Sequence, residues 1–193
     1  MVLMKRRIQK VLTLAALILF PPLSGCGPAE PDPQAVATEA GRCLDRGETK
    51  KAIDMLQACE ERKPGNPLVA EQLAFAWAQN GDLKTSAYYF NRLAELSPDR
   101  ADALLFAAHN LQQAGDIQGA MVTYQQYLAK KPDDMSASLA FAALAASNGQ
   151  LDSAIGQYSY VYRTKPSGEI ALALGNLFLK KNDPRQAATW FAT

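Results

Sequence analysis

Apolar and small residues return at fixed places along this chain with a period of 34 residues. Pro64, Pro98, Pro132 and Pro166 stand at that interval, each after a stretch with helical spacing of its apolar positions. Seventeen residues before each proline comes a glycine: Gly47, Gly81, Gly115 and Gly149. Proline lacks an N–H and clashes with the preceding turn, so it cannot continue a helix interior. Glycine supplies the left-handed conformation that ends one helix, and Asp82 and Asp116, directly after two of the glycines, can cap the next. Each period therefore predicts a helix, a tight turn, a second helix and a proline-bearing turn.

The side chains between these marks agree. The units are 33–66, 67–100, 101–134 and 135–167, the last one residue short, and a fifth begins at Gly168. Position eight of the four units is Ala40, Ala74, Ala108 and Ala142, and position twenty is Ala52, Ser86, Ala120 and Ala154. Antiparallel helices joined by a short turn come closest at such a pair, where only small residues let the backbones meet. Leu56, Phe90, Tyr124 and Tyr158 at position twenty-four fill the neighbouring gaps.

This pattern resembles the tetratricopeptide repeat family, whose unit is 34 residues of helix–turn–helix. The resemblance covers 161 of the 193 residues. It extends into the fifth unit through Leu174, Gly175, Phe178, Asn182, Asp183, Pro184, Ala187 and Phe191. It implies an all-α fold, a right-handed superhelical solenoid of antiparallel helix pairs with about ten helices. The first unit departs most from the family, with Glu39 at position seven and Cys43 at position eleven, and is expected to pack loosely. Solenoids close with a polar cap, yet Trp190 and Phe191 stand almost at the end. That leads us to expect either a chain continuing past Thr193 or an edge covered by a partner.

The resemblance also places a binding groove. Positions four, seven, eight and eleven of each first helix face the core, and the family's concave surface is lined by positions two, five, nine, twelve and thirteen. Carried over, these are Glu71 and Phe75 in unit two, then Leu105, His109, Gln112 and Gln113 in unit three. Unit four gives Leu139, Ala143 and Ser147, and unit five gives Leu172, Asn176 and Lys180. Leu105, Leu139 and Leu172 repeat at position five with Phe75 nearby, a ladder of apolar residues where some relatives carry lysines and asparagines for an acidic peptide. The expected ligand is a protein partner's apolar strand or the apolar face of a helix. The alternative is that the leucines are buried by the inward curl of the stack or are only scattered surface apolars.

The first 25 residues read as a removable export signal, which changes where this solenoid works. Lys5, Arg6, Arg7 and Lys10 precede an uncharged apolar run from Val11 to Phe20, a signal-peptide core too short to span a bilayer. Leu23, Ser24, Gly25 and Cys26 follow and resemble the lipobox of bacterial lipoproteins, in which the cysteine is acylated and becomes the N-terminus. An ordinary signal peptide with an incidental cysteine is the other reading. Several acyl chains on one residue hold a protein stably at a membrane where a single chain does not. Gly27 after the cysteine, in place of the aspartate that retains such proteins at the inner membrane, implies the periplasmic face of the outer membrane. Residues 26–34 contain Pro28, Pro31 and Pro33 and read as a stiff tether, leaving 35–193 for the repeats.

Charge and chemistry then exclude several functions. The signal carries four of the 20 basic residues and no acidic ones, so the remainder has 16 basic against 19 acidic residues, a net charge near −3. Nucleic-acid binding would need a basic stripe. His109 is the single histidine, and no spacing joins it to a serine, cysteine or carboxylate as a catalytic or zinc site requires. No catalytic residue, metal ligand or cofactor is assigned. Cys43 and Cys59 occupy positions whose helical offset puts them roughly 15 Å apart, beyond disulfide reach, so both are expected as free thiols in the core.

Lipoproteins of this architecture serve pilus, outer-membrane protein and polysaccharide machinery, and the resemblance reaches each at the level of fold and anchor only. Two readings compete with an envelope adaptor. One is the substrate-presenting arm of a longer enzyme. The other is a spacer that self-associates through the edge at Trp190 and Phe191 into a homo-oligomer.

Overall fold

The computed structural model describes residues 32–193, in which ten helices form five antiparallel pairs. In order these are α1 (Pro33–Asp45) with α2 (Thr49–Arg62), α3 (Pro67–Gln79) with α4 (Leu83–Leu96), and α5 (Ala101–Gln113) with α6 (Ile117–Lys130). They continue with α7 (Met135–Ser147) and α8 (Leu151–Thr164), then α9 (Gly168–Lys180) and α10 (Pro184–Phe191). The signal segment and Cys26 lie outside the described residues. None of the described helices is long and apolar enough to cross a membrane.

Local chemistry sets these boundaries. Pro33 and Gln34, assigned to the tether by composition, instead form the first turn of α1. Proline suits a first helical position that has no N–H to bond, and Asp32 accepts the Gln34 N–H at 3.1 Å. Inside each pair the turn is the same. Gly47, Gly81, Gly115 and Gly149 take φ between 76° and 86°, and the residue after each donates its N–H back across the turn. Glu48 reaches the Cys43 carbonyl at 2.8 Å, Asp82 reaches Trp77 at 3.0 Å, Asp116 reaches Leu111 at 2.9 Å and Gln150 reaches Ala145 at 2.8 Å. Carbonyls orphaned at the helix end are satisfied in this way. In the last pair Asn182 takes the glycine's place at φ 59°, which asparagine tolerates. Between pairs the residue before each proline is pushed out of helical geometry, with φ from −132° to −138° at Lys63, Ser97, Lys131 and Lys165.

Within each pair the contact runs through the small residues. Ala40, Ala52, Ala74, Ser86, Ala108, Ala120, Ala142 and Ala154 are all inaccessible to solvent. Ser86 Oγ donates to the Ala74 carbonyl at 2.7 Å, a direct measure of how closely positions eight and twenty approach. In the fifth pair Gly175 is bare where the others carry alanine, and a Cβ there would collide with the Phe191 ring. Leu56, Phe90 and Tyr124 fill the adjoining gaps completely, whereas Tyr158 is only partly buried and Phe191 is exposed.

The first unit does not pack loosely. Ala40, Cys43, Ala52 and Leu56 are fully buried, and Glu39 stays at the edge, paired with Arg42 at 3.1 Å and Arg46 at 3.4 Å. The unusual glutamate thus leaves the apolar seam intact. Cys43 and Cys59 are buried free thiols, as their separation requires.

Neighbouring pairs are joined by polar ties as well as by apolar contact. Tyr127 donates to Asp134 at 2.6 Å, Lys130 Nζ donates to the Pro98 carbonyl at 3.0 Å, and Tyr160 donates to the Pro132 carbonyl at 3.2 Å. Burial, and then the Asp134 carboxylate, push the Tyr127 phenol up to about 12. The same hydrogen bond, followed by the Ala137 N–H, holds Asp134 below the ordinary range. The core runs along the stack as clusters of buried residues, each shared between two or more pairs.

Candidate protein-binding groove

The groove is built where consecutive first helices lie side by side. Phe75 on α3 and Phe106 on α5 are 41% and 45% exposed, with ring centroids 6.3 Å apart. Beneath them lies Phe90 of α4, only 2% exposed, edge-on to Phe75 at 5.2 Å and stacked on Phe106 at 5.2 Å. Position twenty-four of the second helix is therefore the floor between two first helices, and the aromatic pairs above it hold their rings in fixed orientations. One repeat further along, Tyr124 occupies the same position, fully buried, with its hydroxyl 3.2 Å from His109 Nδ1 and donating to Gln112 Oε1 at 3.4 Å. Burial raises the Tyr124 phenol above its usual range, so it stays protonated and holds both side chains in place.

The residues expected in the groove divide into two groups. Phe75, His109, Gln112, Gln113, Ala143, Ser147, Leu172, Asn176 and Lys180 are exposed. Leu105 and Leu139 are only half-exposed: Leu105 packs on the main core, and Leu139 on the cluster around Val161, Ile170 and Leu174. Of the leucine ladder, only Leu172 stands open, at 55% exposure. Position five adjoins the core position four, so packing against the core clusters decides how much of it remains free.

Glu71 also departs from expectation, because a structural contact occupies it. Arg100 Nη2 donates to Glu71 at 2.7 Å, and its Nε and Nη2 grip Asp102 at 3.0 and 2.9 Å. This triad ties unit two to unit three, and the Arg100 guanidinium holds the Asp102 carboxyl below its ordinary range.

Phe106, at position six, is the groove residue that the sequence reading missed. Positions two, six, nine and thirteen are spaced by four, three and four residues and so share one helical face. That spacing could have found Phe106, and Gln72 at the same position of α3. On these first helices the chemistry offered is apolar contact bordered by neutral carboxamides. Among the described residues, no group of histidine, cysteine, aspartate and glutamate could hold a metal ion.

Comparison with known proteins agrees with this architecture. A tetratricopeptide repeat family model matches residues 107–169. MamA, residues 41 to the end, from Desulfovibrio magneticus RS-1 superposes with a TM-score of 0.59 at 22% identity, covering 85% of this chain and 94% of that one. The fold is a tetratricopeptide solenoid. YrrB, described as a tetratricopeptide protein with an unusual peptide-binding site, superposes with a TM-score of 0.63 at 16% identity and 82% coverage of both chains. A further MamA structure gives 0.63 at 17% identity, covering 83% of this chain and 88% of that one. No curated protein matches the sequence.

Proposed function

We propose that this protein is a lipid-anchored adaptor at the periplasmic face of the outer membrane. Its groove grips an apolar peptide segment or helix of a partner in envelope assembly or export, and it performs no catalysis itself. The anchor rests on the lipobox-like Leu23–Cys26 run after a basic and apolar leader. The groove reading rests on one observation: Phe75, Phe106 and Leu172 are large apolar side chains on first helices, each more than two-fifths exposed. Large apolar side chains collected on one face of a well-packed solenoid mark an interaction surface. The fully buried Phe90 and Tyr124 beneath make that surface rigid, which lowers the ordering cost of binding.

The test is position-specific photo-crosslinking in cells. A photo-reactive amino acid at Phe106 or Leu172 is expected to capture one partner, and the same group at Gln126 on the second-helix face is expected to capture none. With the photo-reactive group moved to the exposed Gln113, Leu172→Glu combined with Phe106→Glu should abolish capture without unfolding the protein. Equal capture from both faces, or capture that survives the double variant, would refute the groove. Cys26→Ala should release the protein from the membrane fraction, and unchanged fractionation would refute the anchor.

A further inference from the structure

We propose that the mouth of the groove between α1 and α3 is a subsite for an arginine side chain of the partner segment. The inference rests on the groove reading above and adds the charge and shape of one contact. A pocket of about 460 Å³ opens there, lined by Gly41, Leu44 and Asp45 from α1 and by Gln72, Phe75 and Gln79 from α3. It exists because position nine of α1 is Gly41, where the later repeats carry Phe75, His109, Ala143 and Asn176. A Cβ built on Gly41 would stand 3.4 Å from Gln72 Oε1, so that carboxamide oxygen leans across the bare backbone. Gln79 donates its Nε2–H to the Leu44 carbonyl at 3.2 Å, which leaves its own oxygen as an acceptor.

Asp45 supplies the charge. It is exposed and has neither an ion pair nor a hydrogen bond among the described residues, although two arginines flank it in sequence. Arg42 is committed to Glu39, and Arg46 to Glu39 and Glu48. The pocket walls carry no cation of their own. One carboxylate and two carboxamide oxygens therefore border a cavity whose apolar parts are Leu44 and the exposed portion of Phe75. A guanidinium matches this set. It carries five N–H donors in a plane, which can serve a carboxylate and a carboxamide together while the plane lies on an aromatic ring. Its aliphatic stem packs on apolar wall as the charged head stays wet. An ammonium offers fewer donors and no plane, and an acidic side chain would meet the Asp45 charge unscreened by any partner.

The experiment measures fluorescence anisotropy on the full chain in lipid nanodiscs. One probe is a fluorescein-labelled peptide of six alanine, leucine and phenylalanine residues with arginine at both ends. Its twin carries citrulline, which has the same shape without the charge. The arginine peptide is expected to bind about five- to tenfold tighter than its twin, as a cation–π contact plus a partly exposed charged hydrogen bond would give. Asp45→Asn should erase that preference by weakening the arginine peptide to the affinity of its twin, and Phe75→Leu should reduce it. Equal affinities for the two peptides on the unaltered protein overturn the arginine subsite and leave the apolar groove standing. If neither peptide binds, the groove reading falls and the subsite falls with it.

Discussion

Phe90 and Phe106 stack face to face but differ in burial, and that difference sets the size of two truncations. Phe90 is 2% exposed and touches both groove rings, so Phe90→Ala removes a buried aromatic, a change that costs about 3 to 5 kcal/mol. Phe106 is 45% exposed, so little more than half of its apolar burial is lost on truncation, roughly 1 to 1.5 kcal/mol. Its ring pairs with Phe90 and Phe75 add about 0.5 to 1 kcal/mol. Phe106→Ala should therefore cost roughly 2 kcal/mol, half the effect of Phe90→Ala. The two losses should not add, because the stacked contact is counted in both single variants, and a coupling energy of about 1 kcal/mol is expected. Urea unfolding followed by far-ultraviolet circular dichroism on the wild type, both single variants and the double variant measures each quantity. Two results would refute the geometry: Phe106→Ala as damaging as Phe90→Ala, or a double variant whose loss equals the sum of the singles. The first would mean that Phe106 is buried and no groove opens there. The second would mean that the rings do not touch.

Four further outcomes follow from the same structure. Gly81→Ala should destabilise by about 1 to 2 kcal/mol through backbone strain alone, since Gly81 has φ 86° and nothing within 4 Å of a Cβ. Gly156→Ala, inside α8 and equally free of neighbours, should instead stabilise by about 0.5 to 1 kcal/mol; thermal midpoints shifting in the same direction for both would contradict this. Ser86→Ala should cost about 1 to 3 kcal/mol, because it strips the Asn110 Nδ2 donor of its 2.7 Å partner at a solvent-free site, and an unchanged denaturation midpoint would count against that network. Asp82, Asp102 and Asp134 are all held below the ordinary carboxyl range, by the Thr85 backbone N–H, by Arg100 and by Tyr127 respectively. A depressed folded-state value means that the stability they contribute is complete above the unfolded value near 4 and is lost as pH falls through the folded values. The thermal midpoint should therefore drop progressively below about pH 4, and less steeply in Asp134→Asn; a flat profile down to pH 2.5 would remove the inference.

The repeat architecture was legible in the sequence because its determinants are local. A proline at Pro98 stops a helix whatever surrounds it, and a glycine at Gly81 enters the left-handed region wherever the turn requires it. Small residues at positions eight and twenty specify close helices because no other sizes fit there, and an amino-acid string records size directly. The register of all five pairs follows from those marks, and so do the free thiols of Cys43 and Cys59, since helical rise fixes their separation.

The groove was legible only in outline, because exposure depends on what the next repeat brings against each side chain. Leu105, Leu139 and Leu172 share one register position, yet the first two pack against the core clusters and the third stands open. Glu71 reads as a groove carboxylate until Arg100, 29 residues away in sequence, closes on it. Asp45 reads as one of several charges beside two arginines, and only the folded chain shows those arginines turned to Glu39 and Glu48. Sequence alone determined where the repeats turn and which residues let their helices touch, because those choices are made within a few residues of backbone; only the start of α1 was placed late, at residue 35 instead of Pro33. The tertiary structure decided which side chains remain free to meet a partner, because that is settled by packing between units that the linear order does not place side by side.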